Sequence, residues 1–336
     1  MATLKDIAAR TGLSVNTVSL ALRGSRRISS DTRRKVEDAA GALDYTPNHA
    51  AKSLISRRTM TIGLLLTDVT SPVLTQVARS VELTLKKHGY VTLLAASNGD
   101  QEEESRALAT FRARQVDGML VYPNSHDALD EVARLRDAGT PVVLLAGPDD
   151  TPLDLVCIDE RHGAEAAVRH LIEIGHRRIG LMSSTEMHGN RQKQQGYADA
   201  LAAAGIAYDD ALVVDPLGNS ASHGFEAVAR LMARPGPKPT ALFVDNDPLA
   251  IGALRWCQLN GVAVPDDLAL VGFDNVEAGA FAAIPLTTVD YPVDQVAEIA
   301  VQRLVRRIEN EATPDDDTPV RIRPHLVVRQ STAART

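Results

Sequence analysis

The stretch that decides the fold of the N-terminal region is TLKDIAARTGLSVNTVSLALRGS, Thr3 to Ser25. Its apolar residues recur at helical spacing in two short segments, and Gly12 lies between them, where a tight turn favours a residue without a Cβ atom. Thr3 is suited to cap the first segment because Asp6 follows three positions later, and Ser14 is suited to cap the second. The pattern therefore predicts a helix, a turn and a second helix.

A third helix is predicted over about Ser30 to Asp44, and it completes one small apolar core. The inward positions come from all three helices: Leu4, Ile7, Ala8, Val18, Ala21, Leu22, Val36, Ala40 and Leu43. Residues 1–58 hold eleven Lys and Arg against five Asp and Glu, whereas the whole chain has a net charge of −7. Residues 1–58, here called the head, are therefore basic, and the rest of the chain is acidic. This asymmetry indicates that only the head binds a polyanion such as DNA.

Three short helices, a glycine turn and surplus positive charge are typical of a helix-turn-helix DNA-binding unit. A three-helix protein-interaction module is the alternative on pattern alone. In the DNA-binding interpretation, Asn16 suits the edge of adenine, while Val15 and Leu20 suit thymine methyl groups. The predicted DNA contacts in this head are Thr3, Ser14, Val15, Asn16, Thr17, Leu20, Arg23 and Arg26, with Arg27, Arg33 and Arg34 as further phosphate candidates.

A resemblance over about fifty-five residues favours the DNA-binding interpretation. The segment TLKDIAARTGLSVNTVSLALRG, followed by RRISSDTRRKVEDAAGALDYTPNHAAKSL, resembles the N-terminus of the lac-repressor/galactose-repressor family of bacterial transcription regulators. The resemblance implies that residues 47–58 are a hinge helix and linker. Within it, Asn48 and Lys52 contact DNA, and Leu54 is a wedge between base pairs in the minor groove. A solvated interdomain linker is the other interpretation of this segment.

From Thr59 onward, apolar segments of strand length alternate with helical segments, as in TIGLLLTD, DGMLVYP, TALFVD and LALVGFD. Alternation on this scale predicts an α/β core of parallel sheets with helices on both faces. Two successive sets of this alternation predict two similar lobes. The layout resembles the same family's effector domain and the periplasmic sugar-binding proteins, most clearly in VDGMLVYP, GHRRIGLM, TALFVDNDPLAIGAL, VPDDLALVGFDN and PLTTVDYP.

The predicted domains follow from these segments. The helix-turn-helix head spans 1–46, the hinge helix and linker span 47–58, and a two-lobed periplasmic-binding-protein-like core spans 59–336. Within that core, lobe 1 takes about 59–160 and 292–328, and lobe 2 takes about 161–290.

Polar side chains follow many of the predicted strands: Asp68, Tyr122, Asp159, Ser184, Asp245, Asn246, Asp274 and Tyr291. Ligands of open parallel sheets bind beyond the carboxyl ends of the strands, so these residues are expected around a cleft that suits a ligand with several hydroxyl groups. The resemblance implies effector contacts at Leu74, Met187, Arg191, Lys193, Asn219, Asn246 and Asp274, and Tyr291 at a strand end is a further predicted effector contact. Arg191 and Lys193 are alternatives for one basic position. Helix capping is the alternative role for Asp274 and the expected role for Asp247.

The main rival interpretations are a doubly wound metabolic enzyme and a solute-binding protein, each with an unrelated helical head. The sequence contains no phosphate-binding G-x-x-x-x-G-K-[ST] loop, no G-x-S-x-G elbow and no H-E-x-x-H motif. We therefore expect no enzymatic activity, catalytic residue, metal site or cofactor. A solute-binding protein would leave residues 1–58 without a use. Cys157 and Cys257 are expected to be buried reduced thiols, with a disulfide or a metal site as the alternatives.

The predicted function is a sequence-specific DNA-binding transcription regulator, a repressor, whose operator affinity is switched allosterically by a small metabolite such as a sugar or a sugar derivative. The expected partners are double-stranded operator DNA, the effector, and further copies of the chain as a homodimer or a dimer of dimers. The sequence has no secretory signal and no apolar run long enough for a membrane span, so we expect a cytoplasmic protein without membrane contact.

Overall fold

The computed structural model describes residues 2–22, 24–45, 58–148, 150–184, 188–313, 316 and 318–332, with only the backbone at 188 and 189. The chain divides into two compact units, Met1–Thr59 and Met60–Thr336. The predicted contacts at Arg23, Asn48, Lys52, Leu54 and Met187 lie outside the described residues, as does the predicted hinge helix.

The first unit contains the three predicted helices, α1 Leu4–Thr11, α2 Val15–Leu22 and α3 Ser30–Ala42. Thr3 and Asp6 form a reciprocal capping box at the start of α1, and Gly12 ends that helix with a φ of 70°. Ile7, Val18 and Val36, one from each helix, are fully buried and form the centre of the core. The predicted inward face of each helix is thereby confirmed, and α3 ends two residues earlier than predicted.

The second unit begins with a parallel four-stranded sheet in the order β2-β1-β3-β4. Its strands are β1 Thr61–Leu66, β2 Val91–Ala96, β3 Gly118–Val121 and β4 Val142–Leu144. The helices between them are α4 Pro72–Lys87, α5 Gln101–Ala113 and α6 Asp130–Asp137. A two-stranded parallel sheet, β5 Val156–Ile158 with β11 Val320–Ile322, continues this first lobe. Helix α12 Val293–Glu309 returns from the second lobe and packs against α4.

The second lobe contains a six-stranded sheet in the order β12-β10-β9-β8-β6-β7. Its strands are β6 Ile179–Met182, β7 Val213–Val214, β8 Ala241–Val244, β9 Ala269–Asp274, β10 Thr287–Asp290 and β12 Leu326–Val327. All pairings are parallel except that of β12 with β10. The helices are α7 Glu160–Glu173, α8 His188–Ala203, α9 Ala221–Ala233, α10 Asp247–Leu259 and α11 Glu277–Ala280, with a 3₁₀ turn at Asp210–Leu212.

The C-terminal strand differs from the prediction. The sequence predicts one strand over VRIRPHLVV, residues 320–328, that returns to the first lobe, whereas the structure has two short strands there, β11 in the first lobe and β12 in the second. Pro324 lies between them, and proline cannot donate a ladder hydrogen bond. The segment therefore crosses from one lobe to the other before the chain ends.

Both cysteines have the predicted environment. Cys157 and Cys257 are buried thiols in separate apolar clusters. Among the described residues, no helix is both long and apolar enough to cross a membrane.

Candidate functional site

A cavity of about 620 Å³ opens between the two lobes at the carboxyl ends of their parallel strands. Such an edge of an α/β sheet is the usual location of a ligand site. Most of the lining residues have a polar group, and together they supply carboxylates, amides, hydroxyl groups and two tyrosines: Thr67, Asp68, Thr70, Ser71, Tyr122, Asn124, His126, Glu160, Asn190, Lys193, Asn219, Ser220, His223, Asp245, Asn246, Asp274 and Tyr291.

Six predicted effector contacts line this cavity: Leu74, Lys193, Asn219, Asn246, Asp274 and Tyr291. Arg191 does not. Its Nη1 atom lies 3.2 Å from the Oδ2 atom of Asp127 in the first lobe, and both side chains are mostly exposed. The two basic residues lie two positions apart on α8, so they project from different faces of that helix. Of the two basic residues, Lys193 is therefore the one that lines the cavity.

Lys193 is buried, with 6% of its surface exposed, and several groups surround its ammonium. Its Nζ atom donates to the backbone carbonyl of Asp245 at 2.9 Å and lies 3.7 Å from Oε1 of Glu160. The ring of Phe273 lies on another side, with its centroid 4.2 Å from Nζ. Burial acts to lower the pKa of Lys193, but the carboxylates of Glu160, Asp274 and Asp245 outweigh it, and the pKa is raised.

The carboxyl groups around Lys193 have perturbed pKa values as well. Burial raises the pKa of Glu160 and Asp245, and raises that of Asp274 well above its usual range, although Lys193 acts to lower all three. One ammonium faces three carboxyl groups, so its single positive charge cannot balance three ionised carboxylates. The cavity is therefore unfavourable for an additional anion.

The two tyrosines supply the aromatic part of the lining. Burial raises the pKa of Tyr122 and Tyr291 well above the usual value, so both phenols are protonated at neutral pH. Each phenol can then donate a hydrogen bond while its ring offers an apolar face.

Asp274 closes β9 with an uncommon backbone conformation, at a φ of 101°, and Asn275 follows at 53°. Left-handed values for residues other than glycine cost on the order of 1–3 kcal/mol and persist where the surroundings fix them. Here the amide N–H of Asn275 donates to Thr288 at 3.3 Å, and that of Val276 donates to Asp247 at 2.8 Å. Because α11 begins only at Glu277, Asp274 is not its helix cap.

The roles expected for Asn246 and Asp247 are partly reversed. Asn246 is the N-cap of α10, because its Oδ1 atom accepts a hydrogen bond from the amide of Leu249 at 2.9 Å. Asn246 also lines the cavity. Asp247 is fully buried and accepts from the hydroxyl of Thr288 at 2.7 Å, so the capping prediction for Asp247 was wrong. Burial raises the pKa of Asp247 to about 7. A Cβ atom on Gly272 would lie 2.1 Å from Asp247 Oδ1, so this packing requires glycine.

Several lining residues were not predicted as ligand contacts, including Glu160, Asn190, Asn124, His126 and His223. Of the strand-end residues singled out in the sequence, Asp159 caps α7 by accepting from His162 at 3.0 Å, and Ser184 donates its amide to Asp245 at 3.3 Å. Glu160 is the neighbour of Asp159. Asn190 precedes Lys193 by three positions on α8, so helical spacing was the signal that could have identified it.

The head presents some of its predicted DNA contacts to solvent and uses others internally. Val15 is 41% exposed, and Asn16 is also exposed. The Ser14 hydroxyl accepts from the amide of Thr17 at 3.1 Å, and Thr3 belongs to the capping box. Leu20 is half-buried.

The head arginines fall into two groups. Arg26 and Arg27 are exposed next to the end of α2. Arg33 donates to the carbonyl of Ser25 at 3.0 Å, and Arg34 pairs with Asp31 at 3.1 Å. Arg26 and Arg27 are therefore better phosphate candidates than Arg33, which is bonded within the head, while the ion pair of Arg34 is exposed and leaves that side chain accessible.

Comparisons with known proteins match both units. Residues 3–48 match the model of bacterial regulatory proteins of the lacI family, and residues 168–332 match that of a periplasmic binding protein-like domain. The chain is 32% identical over 311 residues to the ribose operon repressor of Escherichia coli (strain K12), a similarity that covers 92% of this chain and 93% of that repressor.

Two solved structures extend the similarity over nearly the whole chain. A complex of the transcriptional regulator CelR with cellobiose is 32% identical, with a TM-score of 0.71, and the match covers 98% of this chain and 100% of that one. The lac repressor dimer bound to operator and the anti-inducer ONPF is 26% identical, with a TM-score of 0.89, and the match covers 99% of each chain.

Proposed function

Because the chain belongs to the lacI family of bacterial regulatory proteins, we propose that its cavity binds a small polyhydroxylated effector without net negative charge. The protein is a DNA-binding transcriptional repressor regulated by an effector, and it is not an enzyme.

The observation that carries this proposal is the burial of Lys193 among Glu160, Asp245 and Asp274 at a cavity rich in amides and hydroxyl groups. Carboxylates and amides are strong acceptors for the adjacent hydroxyl groups of a sugar. The rings of Tyr122 and Tyr291 add apolar area for the C–H face of such a ligand. A volume of about 620 Å³ is large enough for a mono- or disaccharide.

The charge of the lining argues against a phosphorylated ligand. Within the described ranges, Lys193 is the only lysine or arginine that lines the cavity, and its Nζ atom already contacts Asp245, Glu160 and Phe273. A phosphate would add about two negative charges beside the three buried carboxyl groups of Glu160, Asp245 and Asp274. A neutral sugar, or one with an amino group, avoids that repulsion.

The coupling to DNA is proposed on the domain bounds inferred from the sequence, 1–46, 47–58 and 59–336. Two copies of the chain would present two heads to a pseudo-palindromic operator, with Asn16 at base edges and Arg23 and Arg26 at phosphates. In the connecting segment, Asn48 and Lys52 would contact DNA and Leu54 would act as the minor-groove wedge. An effector with different affinities for the two arrangements of the dimer then changes the free energy of operator binding, and operator DNA changes the free energy of effector binding by the same amount.

The ligand class is tested by thermal shift on the full chain with D-ribose, cellobiose, D-glucosamine, hypoxanthine and D-glucose 6-phosphate. We expect stabilisation by at least one uncharged or amino sugar and none by the sugar phosphate. In the variant Asp274→Asn the stabilisation should be lost, whereas Asp266→Asn, at an exposed position of the same lobe, should retain it. Stabilisation by glucose 6-phosphate or hypoxanthine alone, or equal stabilisation of the Asp274 variant, would contradict the proposal.

The coupling is tested by amide hydrogen exchange of residues 48–56 with and without operator DNA. We expect slower exchange in the complex, because the segment would gain helical hydrogen bonds and minor-groove contacts there. Equal exchange rates in the two samples would exclude the hinge mechanism while leaving the ligand class undecided by that measurement.

A further inference from the structure

The segment that follows β12 is fastened to the sheet of the second lobe. The Ser331 hydroxyl donates to the carbonyl of Leu270 at 2.6 Å and accepts from the amide of Thr287 at 2.8 Å. The hydroxyl groups of Thr332 and Thr287 lie 2.8 Å apart, and Ser331 and Thr332 are both buried. None of these residues lines the cavity, so the segment lies outside the lining of the site.

From this segment, Arg329 reaches the turn that carries Asp274. Its Nη1 atom donates to the carbonyl of Leu286 at 2.8 Å, and its Nη2 atom donates to Oδ1 of Asn275 at 2.7 Å. The Nδ2 atom of Asn275 donates in turn to Oδ1 of Asp290 at 2.8 Å. Both ends of the Asn275 amide are thus held, which fixes the orientation of the side chain.

The held residue is the second of the two left-handed residues at the end of β9. Asp274 and Asn275 have φ values of 101° and 53°. Because such values are strained for residues other than glycine, the orientation of the Asp274 side chain depends on the contacts that maintain this turn. The backbone contacts of Asn275 and Val276 come from Thr288 and Asp247. The Asn275 side chain itself is held by Asp290, which lies on β10, and by Arg329, which lies in the segment after β12.

We propose that Arg329 is a positioning residue of the effector site. It holds Asn275 and thereby places the Asp274 carboxylate in the cavity, although Arg329 itself does not line the cavity. This inference rests on the proposed function because it assigns a ligand-binding role to Asp274. A planar guanidinium can bond Leu286 and Asn275 at the same time, whereas the ammonium of lysine lacks that fork.

The first test needs no ligand. Hydrogen exchange of the amides of Asn275 and Val276 is compared in the full-length wild type, Arg329→Ala, Arg329→Lys and Ser331→Ala. We expect about tenfold faster exchange in Arg329→Ala and an intermediate rate in Arg329→Lys, with exchange at Leu242 in β8 unchanged. Ser331→Ala removes bonds of the same segment to Leu270 and Thr287, so it should lower Tm without this local effect. Equal exchange in wild type and Arg329→Ala overturns the proposal.

The second test measures affinity by calorimetry with whichever of D-ribose, cellobiose and D-glucosamine stabilises the wild type. Arg329→Ala should weaken binding about tenfold, Arg329→Lys should recover part of it, and Ser331→Ala should bind as the wild type does despite its lower Tm. Equal weakening in Ser331→Ala and Arg329→Ala would reduce Arg329 to a general structural role and overturn the proposal. If none of the three sugars binds the wild type, the ligand class is contradicted, and the exchange comparison alone decides the role of Arg329.

Discussion

The ammonium group of Lys193 lies over the ring of Phe273, with Nζ 4.2 Å from the ring centroid. Phe273 immediately precedes Asp274 on β9, so one strand supplies both the aromatic face and a carboxylate to the same cation. A desolvated contact of this kind contributes about 2 kcal/mol. Lys193 thus already has an aromatic ring and carboxyl groups as partners. We infer that it serves as the counter-ion of the carboxylate cluster and is not available as a cation for a ligand.

Replacement of Lys193 by methionine should destabilise the protein more at pH 8 than at pH 5. At pH 8 the change leaves the carboxylates of Glu160, Asp245 and Asp274 without their cation, and removal of one partner from a buried ion pair costs about 3–5 kcal/mol. At pH 5 these groups take up protons more readily, because their pKa values are already raised, and the cost falls. Urea unfolding at both pH values measures the difference.

The matched control for that variant is Lys87→Met at the exposed end of α4. Its free energy of unfolding should lie within about 0.5 kcal/mol of wild type at either pH, as for most surface changes. An equal loss at pH 5 and pH 8 for Lys193→Met would contradict the role of Lys193 as a counter-ion.

Replacement of Asp247 by asparagine should remove part of the pH dependence of stability between pH 4 and pH 7. The folded pKa of Asp247 is raised to about 7, above the value of 3.8 expected when unfolded. Between these values the folded state holds a proton that the unfolded state has released, so stability falls as pH rises, by about 1.4 kcal/mol per unit at most. Relative to wild type, Asp247→Asn should therefore gain stability as the pH increases from 4 to 8.

Urea unfolding at four pH values between 4 and 8 gives the slope for both proteins. Only the slope is informative, because the asparagine amide adds a constant penalty opposite the amide N–H of Val276. Asp266→Asn serves as the exposed control and should follow the wild-type slope. A constant difference between Asp247→Asn and wild type across this range would show that Asp247 does not titrate there.

Asn16 and Arg26 should contribute differently to DNA binding. Loss of a base contact costs about 1–3 kcal/mol of discrimination, so Asn16→Ala should lower affinity for a selected operator roughly tenfold or more with little change on random DNA. Arg26→Ala should weaken binding to the operator and to random DNA alike, and it should reduce the slope of log affinity against log salt concentration by about one. Retardation assays over a series of salt concentrations separate the two. Both residues are exposed, so a changed Tm in either variant would point to misfolding instead.

Gly41 and Gly12 form a matched pair for the stability of the head. In both cases a Cβ atom would meet no heavy atom within 4 Å, but Gly12 has a φ of 70° and Gly41 is within α3. Gly41→Ala should slow amide exchange at Val36 through a gain of up to about 1 kcal/mol in helix stability. Gly12→Ala should accelerate it, because alanine is strained at that φ. Shifts of the same sign in both variants would contradict this account.

The predicted elements agree best with the structure where local interactions determine them. Helix α10 spans Asp247–Leu259 as predicted, because a helix start after a strand, a proline at its second position and apolar periodicity are all readable from neighbouring residues. The sequence pattern predicts a helix over 126–137, but α6 begins four residues later, at Asp130, because the bend before Asp130 contains no strong helix breaker. Strand β10 was missed because Thr287 and Thr288 are polar yet fully buried.

By itself the sequence determined the class of fold, the three-helix head, the family and the side of each sheet on which polar residues gather. Each of these depends on residues a few positions apart, or on motifs whose residues are contiguous in the sequence. Tertiary structure alone decided that Lys193 and not Arg191 enters the cavity, and that Asn246 caps a helix while Asp247 supports a turn. It also joined Arg329 to Asn275, fifty-four positions apart. Partners at that separation are set by how the strands assemble, and no short-range pattern encodes them.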